Sequence, residues 1–342
     1  MTVAGMILVN NGWGATFTPL QHSHWNGLTP CDLVFPFFLF IVGVSTYLSL
    51  QKSGFRPSVT VIRKIVKRAT LLFLIGLFIN WTALAAGGDL QCFDHLRLWA
   101  VLQRIAVCYL LTALFAISLP HRYLLPTIIG LLTLYGIVLL TGNGYAEDAT
   151  NIALRIDTRL FGAAHLYRWA PIDPEGLLGT IGATAHTLTG FYCARRMRQA
   201  EEPTMQALHL LLTGAALLAC GWLLSFLLPI NKTIWSPSFA LVTCGAAALL
   251  LGLLIQMIDI RGHQRWALPF RIFGVNPLAL YASSELLAIL LGQWGVSETV
   301  YNALHTLISY DEAASLAYAV YFVSLNFLIG YILYRRHIYI KL

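Results

Sequence analysis

Ten stretches of the chain are apolar over something close to the 20 or so residues needed to cross a bilayer. They fall near Met1–Asn10, Cys31–Leu50, Ala69–Ala86, Leu98–Leu119, Tyr123–Leu140, Glu175–Ala194, Ala207–Pro229, Ser238–Ile258, Ile272–Gly292 and Ser315–Tyr334. The pattern predicts an all-α fold: a polytopic membrane protein of about ten transmembrane helices in one bundle, forming a single domain over residues 1–342. The first stretch falls short of a span, since MTVAGMILV is only nine residues, so this helix is expected to be truncated at its start. No internal repeat and no low-complexity segment interrupts the series. The connection Thr141–Pro174 is too long for a plain turn and carries tryptophan and tyrosine, so it is expected to cap one face of the bundle.

Composition agrees with the pattern. The chain is 58% hydrophobic and 11% charged, where soluble domains average about a quarter charged residues. The net charge of +7 suggests nucleic acid only until the basic residues are placed. Lys52, Arg56, Arg63, Lys64, Lys67 and Arg68 share one set of connections with Arg122, with Arg195, Arg196 and Arg198, with Arg261, Arg265 and Arg271, and with Arg335, Arg336 and Lys341. Basic residues stay on the cytoplasmic side, so both termini are expected there. The loops Asn11–Pro30, Gly87–Arg97, Thr141–Pro174, Ile230–Pro237 and Gln293–Ala314 are then external. No nucleic-acid partner is expected, the lipid bilayer is the surface the chain meets, and the sequence leaves open whether it forms a homodimer. Five of the six cysteines lie in or beside apolar runs, which excludes a disulfide framework, and no cleavable signal peptide is evident.

Candidate chemistry concentrates in Gln21–Gly43, QHSHWNGLTPCDLVFPFFLFIVG, where polar groups run straight into a very apolar segment. A histidine there suits general-base work near neutral pH. His22 and His24 are two residues apart, so only one is expected at a site; the alternative is a pair of interfacial loop histidines. No neighbouring cluster has metal-ligand spacing, and no metal is expected. Asp32 begins an apolar helix, where a carboxylate is costly without a partner; it serves either a site or the helix N-terminus, with Thr29 as a competing cap. Asn10 and Asn11 end the first helix, as a C-terminal cap ahead of Gly12 or as an amide aimed at a reacting group. Gln103 and Arg104 fall inside WAVLQRIAVCYLL, where a guanidinium should face a cavity, an anion, or Asp94 or Asp32. Glu175 opens a helix, where it also stabilises the first turn. Asn276 and Glu285 are expected on roughly opposite sides of the ninth helix. Lys232 and Trp235 lie in an external loop, the tryptophan either at a site or in the aromatic belt.

With these residues in place the chain resembles the heparan-alpha-glucosaminide N-acetyltransferase family, including its bacterial members. The resemblance rests on MILVNN, HSHWNGLTPCDLVFPFFLFIVG, LQR, DPEGLLGT, NKTIWSPSF and FGVNPLALY, in that order. It implies a transmembrane acetyltransferase in a bacterial inner membrane, carrying acetyl from cytoplasmic acetyl-coenzyme A to the amino group of an external glucosamine. The family's active histidine matches His22, two residues ahead of the WNGLT run, and its asparagine matches Asn10, with Asn11 as the alternative. His24 occupies a position that is not the catalytic one. The resemblance implies His22 as base in a ternary complex, or as transient acetyl carrier, with Asn10 holding the oxyanion or the ring and Asp32 orienting it. Gln103, Arg104, Arg68, Arg271 and Asn276 are the candidates for acetyl-coenzyme A, and His24, Trp25, Glu175, Lys232 and Trp235 for the sugar. The family's Asp-x-Phe-Arg-Gly run before the first helix has no counterpart here, nor has the animal enzyme's large luminal domain. The expected acceptor is therefore a small amino sugar or a cell-envelope glycan. The rival reading is an amino-sugar transporter with Arg104 and Glu285 along its path, against which the missing repeat symmetry counts.

Overall fold

The computed structural model describes residues 1–340; Lys341, placed among the cytoplasmic basic residues, and Leu342 lie outside them. The described residues form thirteen α-helices and no strand. They are α1 (Thr2–Asn10), α2 (Val34–Gln51), α3 (Val59–Ala86), α4 (Val101–Ser118), α5 (Leu124–Thr141), α6 (Ile152–Phe161), α7 (Gly179–Arg198), α8 (Pro203–Leu224), α9 (Pro237–Leu254), α10 (Leu268–Val275), α11 (Pro277–Gln293), α12 (Val296–Ile308) and α13 (Asp311–Arg335).

All ten expected segments are helical, and the chain is a multi-pass membrane protein. Seven helices are long and apolar enough to cross a bilayer, and α10 with α11 makes an eighth if counted as one broken span. The expected count of about ten is thus approximate: α1 is short, and α7 is too polar to qualify. The ninth expected helix is bent by 76° between α10 and α11. Pro277 is the cause, because a proline offers no amide donor and pushes the residue before it out of the helical region. Asn276 accordingly has φ −129° and ψ 54°. Its amide nitrogen donates to the carbonyl of Ile338 and its oxygen accepts from the amide of Ile340, pinning the end of α13's tail to the break. Asn276 and Glu285 therefore do not share one straight helix, contrary to the expectation.

Helices α6 and α12 were not expected. Each is amphipathic and too short to span, and each lies in a long loop of the end that carries His22. Asn151 caps α6 by accepting the amide of Ala153.

Helix α7 forms the centre, packed against α2, α4, α5, α8 and α9. Its sequence GTIGATAHTLTG explains how so polar a helix can be buried. Thr180, Thr184, Thr187 and Thr189 return their hydroxyls to carbonyls one turn earlier. Small residues let neighbouring backbones close in, the usual basis of helix association in lipid. A Cβ on Gly43 would collide with the Thr187 carbonyl, and one on Gly190 with the carbonyl of Phe40. The α8–α9 contact uses Gly214, Gly221, Gly245 and Gly252 in the same way.

Overpacking of this kind typically costs about 1–3 kcal/mol. Gly43→Ala and Gly190→Ala are expected to lower the thermal midpoint in detergent. Gly130→Ala on α5, where nothing lies within 4 Å, is expected to leave it unchanged or raise it, because alanine favours the helix.

Candidate active site

The loop Asn11–Pro30, a 3-10 turn over Cys31–Leu33, and the segment between α8 and α9 meet at one end of the bundle. The amide of Gly27 donates to the carbonyl of Ile230, and the Asn231 side-chain amide to Asn26 Oδ1. This joins the His22 loop to the Lys232 loop. Trp25 Nε1 donates to the carbonyl of Tyr145, which fastens the same loop to the connection after α5.

Asp32 is completely buried at this junction. It does not cap α2. Its Oδ2 instead accepts from the amides of Ser23 and Thr29, both at 3.1 Å, and from the Thr29 hydroxyl at 3.0 Å. Its Oδ1 is 2.8 Å from His22 Nδ1 and 3.5 Å from Lys232 Nζ. An ionised carboxylate only accepts, so His22 Nδ1 donates to it. Lys232 Nζ lies beside the same ring, 2.9 Å from Nδ1 and 3.0 Å from Nε2. Cys31 Sγ packs 3.2 Å from Nδ1. The His22 side chain is 53% exposed while that of Asp32 is 0% exposed, so the ring is accessible and its anchor is not.

A second polar centre adjoins the first. Arg97 binds Asp173 at 2.5 Å and Glu175 at 2.8 Å, and its guanidinium stacks 4.6 Å from the Tyr167 ring centroid. Asp173 also accepts the amides of Tyr167 and Glu175. Burial alone would raise the Glu175 carboxyl, but Arg97, with Arg104 and Lys232 nearby, outweighs it and holds Glu175 below its ordinary value. Asn10 Nδ2 donates to Glu285 Oε1 at 3.4 Å, whereas Asn11 turns back to the carbonyl of Ile7. A cavity of about 110 Å³ lies between these groups, lined by Arg97, Asn80, Gln103, Tyr281 and Glu285. Both polar atoms of the buried Gln103 amide lack a protein partner. A cavity of about 350 Å³ lies farther along α11, bounded by Met1, Phe38, Arg68, Leu254, Phe273 and Leu278. Arg68, its guanidinium 4.7 Å from the Tyr109 ring centroid, is the cation on its wall.

Several candidates are placed differently from expectation. Trp235 is 1% exposed, clasped by Phe35, His186 and Phe239, and is neither an external sugar platform nor a belt residue. The reason is that Arg104 must be covered: it is fully buried, 5.2 Å from the Trp235 ring centroid. Arg104 donates to the carbonyl of Gly176, reaches neither Asp94 nor Asp32 and lines neither of these cavities; its Nε and Nη1 have no protein partner. His24 is 92% exposed and nears only Glu147, at 4.0 Å. Arg271 and Asn276 line neither cavity. No contact joins Asn10 to His22; Asn10 belongs to the Glu285 group.

Sequence reasoning passed over Arg97, Asp173 and Tyr281. Arg97 stood out only as a basic residue among external loops, and its two acidic partners lie 76 and 78 positions on. The available signal was the Asp-Pro-Glu-Gly run, whose two carboxylates next to a buried helix require a cation. Among the described residues no group of three or more His, Cys, Asp or Glu gathers as a metal site would.

Comparison with known proteins agrees with the motif resemblance. Residues 1–160 match the family model for heparan-alpha-glucosaminide N-acetyltransferase, catalytic. The chain is 28% identical over 399 aligned positions to heparan-alpha-glucosaminide N-acetyltransferase of Mus musculus, covering 98% of this chain and 58% of the relative. The same figures, over 401 positions, hold for heparan-alpha-glucosaminide N-acetyltransferase of Homo sapiens. The chain thus spans little more than half the length of these curated relatives. The matched segment contains His22, Asp32, Asn10 and Arg97, while Glu175 and Lys232 come from beyond it.

Asp157 of α6 supports this centre from behind. Its Oδ1 accepts the amide of Leu177, and its buried Oδ2 lacks a protein partner. Burial, with Asp173 nearby, raises its carboxyl to about 6. The fold therefore holds the proton more tightly than the unfolded chain does, and stability falls as pH rises from about 4 to about 6. Asp157→Asn keeps the acceptor and removes the titration. The difference between wild-type and variant melting profiles is expected to be confined to that window, and a pH-independent difference would contradict the assignment.

Proposed function

We propose that this protein is a transmembrane acetyltransferase that moves acetyl from cytoplasmic acetyl-coenzyme A to the amine of an external amino sugar. The observation that carries the reading is the half-exposed His22 ring, held at Nδ1 by a fully buried carboxylate and flanked by the Lys232 ammonium. The names of the relatives support the amino-sugar class.

Each residue has a task in this reading. An amine attacks a thioester only as the free base; the neutral substrate amine displaces Lys232 from the ring and, as it attacks the carbonyl, gives one proton to Nε2. Asp32 stabilises the imidazolium that forms, because its charge is already buried and fixed by four other donors. The displaced Lys232 ammonium is the available source of positive charge for the thioester oxygen as it becomes an oxyanion. The C–N bond forms, the C–S bond breaks, and His22 returns the proton to the leaving sulfur.

The donor's path follows α11. Arg68 meets the anionic part at the 350 Å³ cavity, and the thin pantetheine arm continues past Leu278 and Tyr281 towards Glu285. The Gln103 amide presents an unpaired donor and acceptor to the smaller cavity, as a ligand amide requires. Arg97, with Asp173 and Glu175, offers polar groups to sugar hydroxyls beside His22. The protein then has its basic ends and both termini in the cytoplasm, in keeping with the charge distribution.

Purified protein with acetyl-coenzyme A and glucosamine, with free thiol followed over time, tests the reaction; a transporter releases none. His22→Ala is expected to lower turnover by about 10²–10⁴-fold while acetyl-coenzyme A binding persists, and full activity in that variant would sink the assignment. Arg68→Gln is expected to raise KM for acetyl-coenzyme A with little change in kcat; an unchanged KM removes Arg68 from the donor path. Radiolabelled acetyl retained on the chain without acceptor would favour an acetyl-histidine over direct transfer.

A further inference from the structure

A further groove belongs to neither centre. It encloses about 530 Å³ between α5, α7, α8 and α9, and its lining is almost wholly apolar. Small residues create it: Gly136, Thr189, Thr213 and Ala216 leave room where longer side chains would close the helices together. Along α5 it runs from Leu125 to Leu140, about 22 Å at 1.5 Å per residue. That exceeds one leaflet's share of a hydrocarbon core about 30 Å thick. A groove of this shape on the flank of a membrane bundle takes a hydrocarbon chain.

The charge at one mouth says which chain. Leu125 and Tyr192 line the groove at the basic end. Arg196 is one turn after Tyr192 and continues the groove-facing side of α7, and Arg122 lies in the 3-10 turn His121–Tyr123 that leads into α5, its guanidinium 4.8 Å from the Tyr123 ring centroid. The two elements are tied together there, since Arg195 donates to the carbonyl of His121. The start of α8 closes the third side, with His209 Nδ1 against the carbonyl of Arg196. Arg122 and Arg196 are both exposed. Neither has an acidic side chain within salt-bridge distance among the described residues. An apolar slot that opens beneath two guanidinium groups with no acidic partner is complementary to a phosphate ester carrying an acyl chain.

We infer that the α5/α7/α8/α9 groove holds one anionic glycerophospholipid of the leaflet at the arginine-rich end, its acyl chain in the slot and its phosphate between Arg122 and Arg196. The site is separate from the His22 centre, so the inference does not depend on the acetyltransferase reading.

Native mass spectrometry of the full chain, delipidated and then titrated with phosphatidylglycerol or phosphatidylcholine, tests it. One phosphatidylglycerol per chain is expected to be retained in preference to phosphatidylcholine. A cationic side chain near a membrane surface contributes about fivefold to affinity for anionic lipid, so Arg122→Gln with Arg196→Gln should weaken retention by about 30-fold. Both positions are exposed, so the double variant is expected to fold and melt like the wild type. Ala216→Leu, which narrows the slot without touching the charges, should also reduce retention. Equal retention of the two lipids overturns the inference, as does undiminished retention by the double variant. A preference for a polyprenyl phosphate over phosphatidylglycerol would overturn the identity of the occupant.

Discussion

The buried carboxylate of Asp32 is the constraint on which the rest of the site depends. A fully buried charge at the head of a membrane helix is tolerable only when every lone pair is met. Two backbone amides, the Thr29 hydroxyl, His22 and Lys232 meet them. Those donors come from both sides of the first loop and from a segment 200 residues later. Satisfying one carboxylate therefore helps the Gly27–Ile230 and Asn26–Asn231 bonds hold these segments together, and it directs His22 Nδ1 as a donor. A neutral side chain at position 32 would relax all of these together.

The bundle supplies the rigid ground for this junction. Helix α7 is buried on nearly every side, and the Asp-Pro-Glu-Gly turn enters it directly. Arg104 reaches that turn from α4 and is shielded by Trp235, which follows Lys232 by three positions. The buried arginine thus fixes two site loops at once: the Gly176 carbonyl on one side and the Lys232 segment on the other. This tie is architectural, although a charged group in a membrane helix usually signals a path.

Two consequences of sequence order follow. The His22 and Arg97 centres are both assembled at one end of the bundle, from loops separated by whole helices. The two cavities near α11 lie instead along one helix, so the break at Pro277 sets where the larger one opens. A proline that removes one backbone hydrogen bond therefore shapes the space between α1, α2, α9 and the α10–α11 corner.

Much of this was legible in the residues. Apolar length located every long helix, and the unusual density of polar groups in Gln21–Gly43 marked the His22–Asp32 pair. Local pattern located α7 but not its place at the buried centre, and it missed the helices that are amphipathic yet short, α6 and α12. It failed also at Trp235 and Arg104, which look like a surface aromatic and a cavity charge until each is seen covering the other. The sequence by itself determined the all-helical membrane fold, since no other structure satisfies backbone groups over so many apolar residues. Only the tertiary structure decided that Lys232 joins His22, that Arg97 joins Asp173 and Glu175, and that Asn10 faces Glu285. Such pairings follow from how helices pack, and no local periodicity records which distant loops share an end.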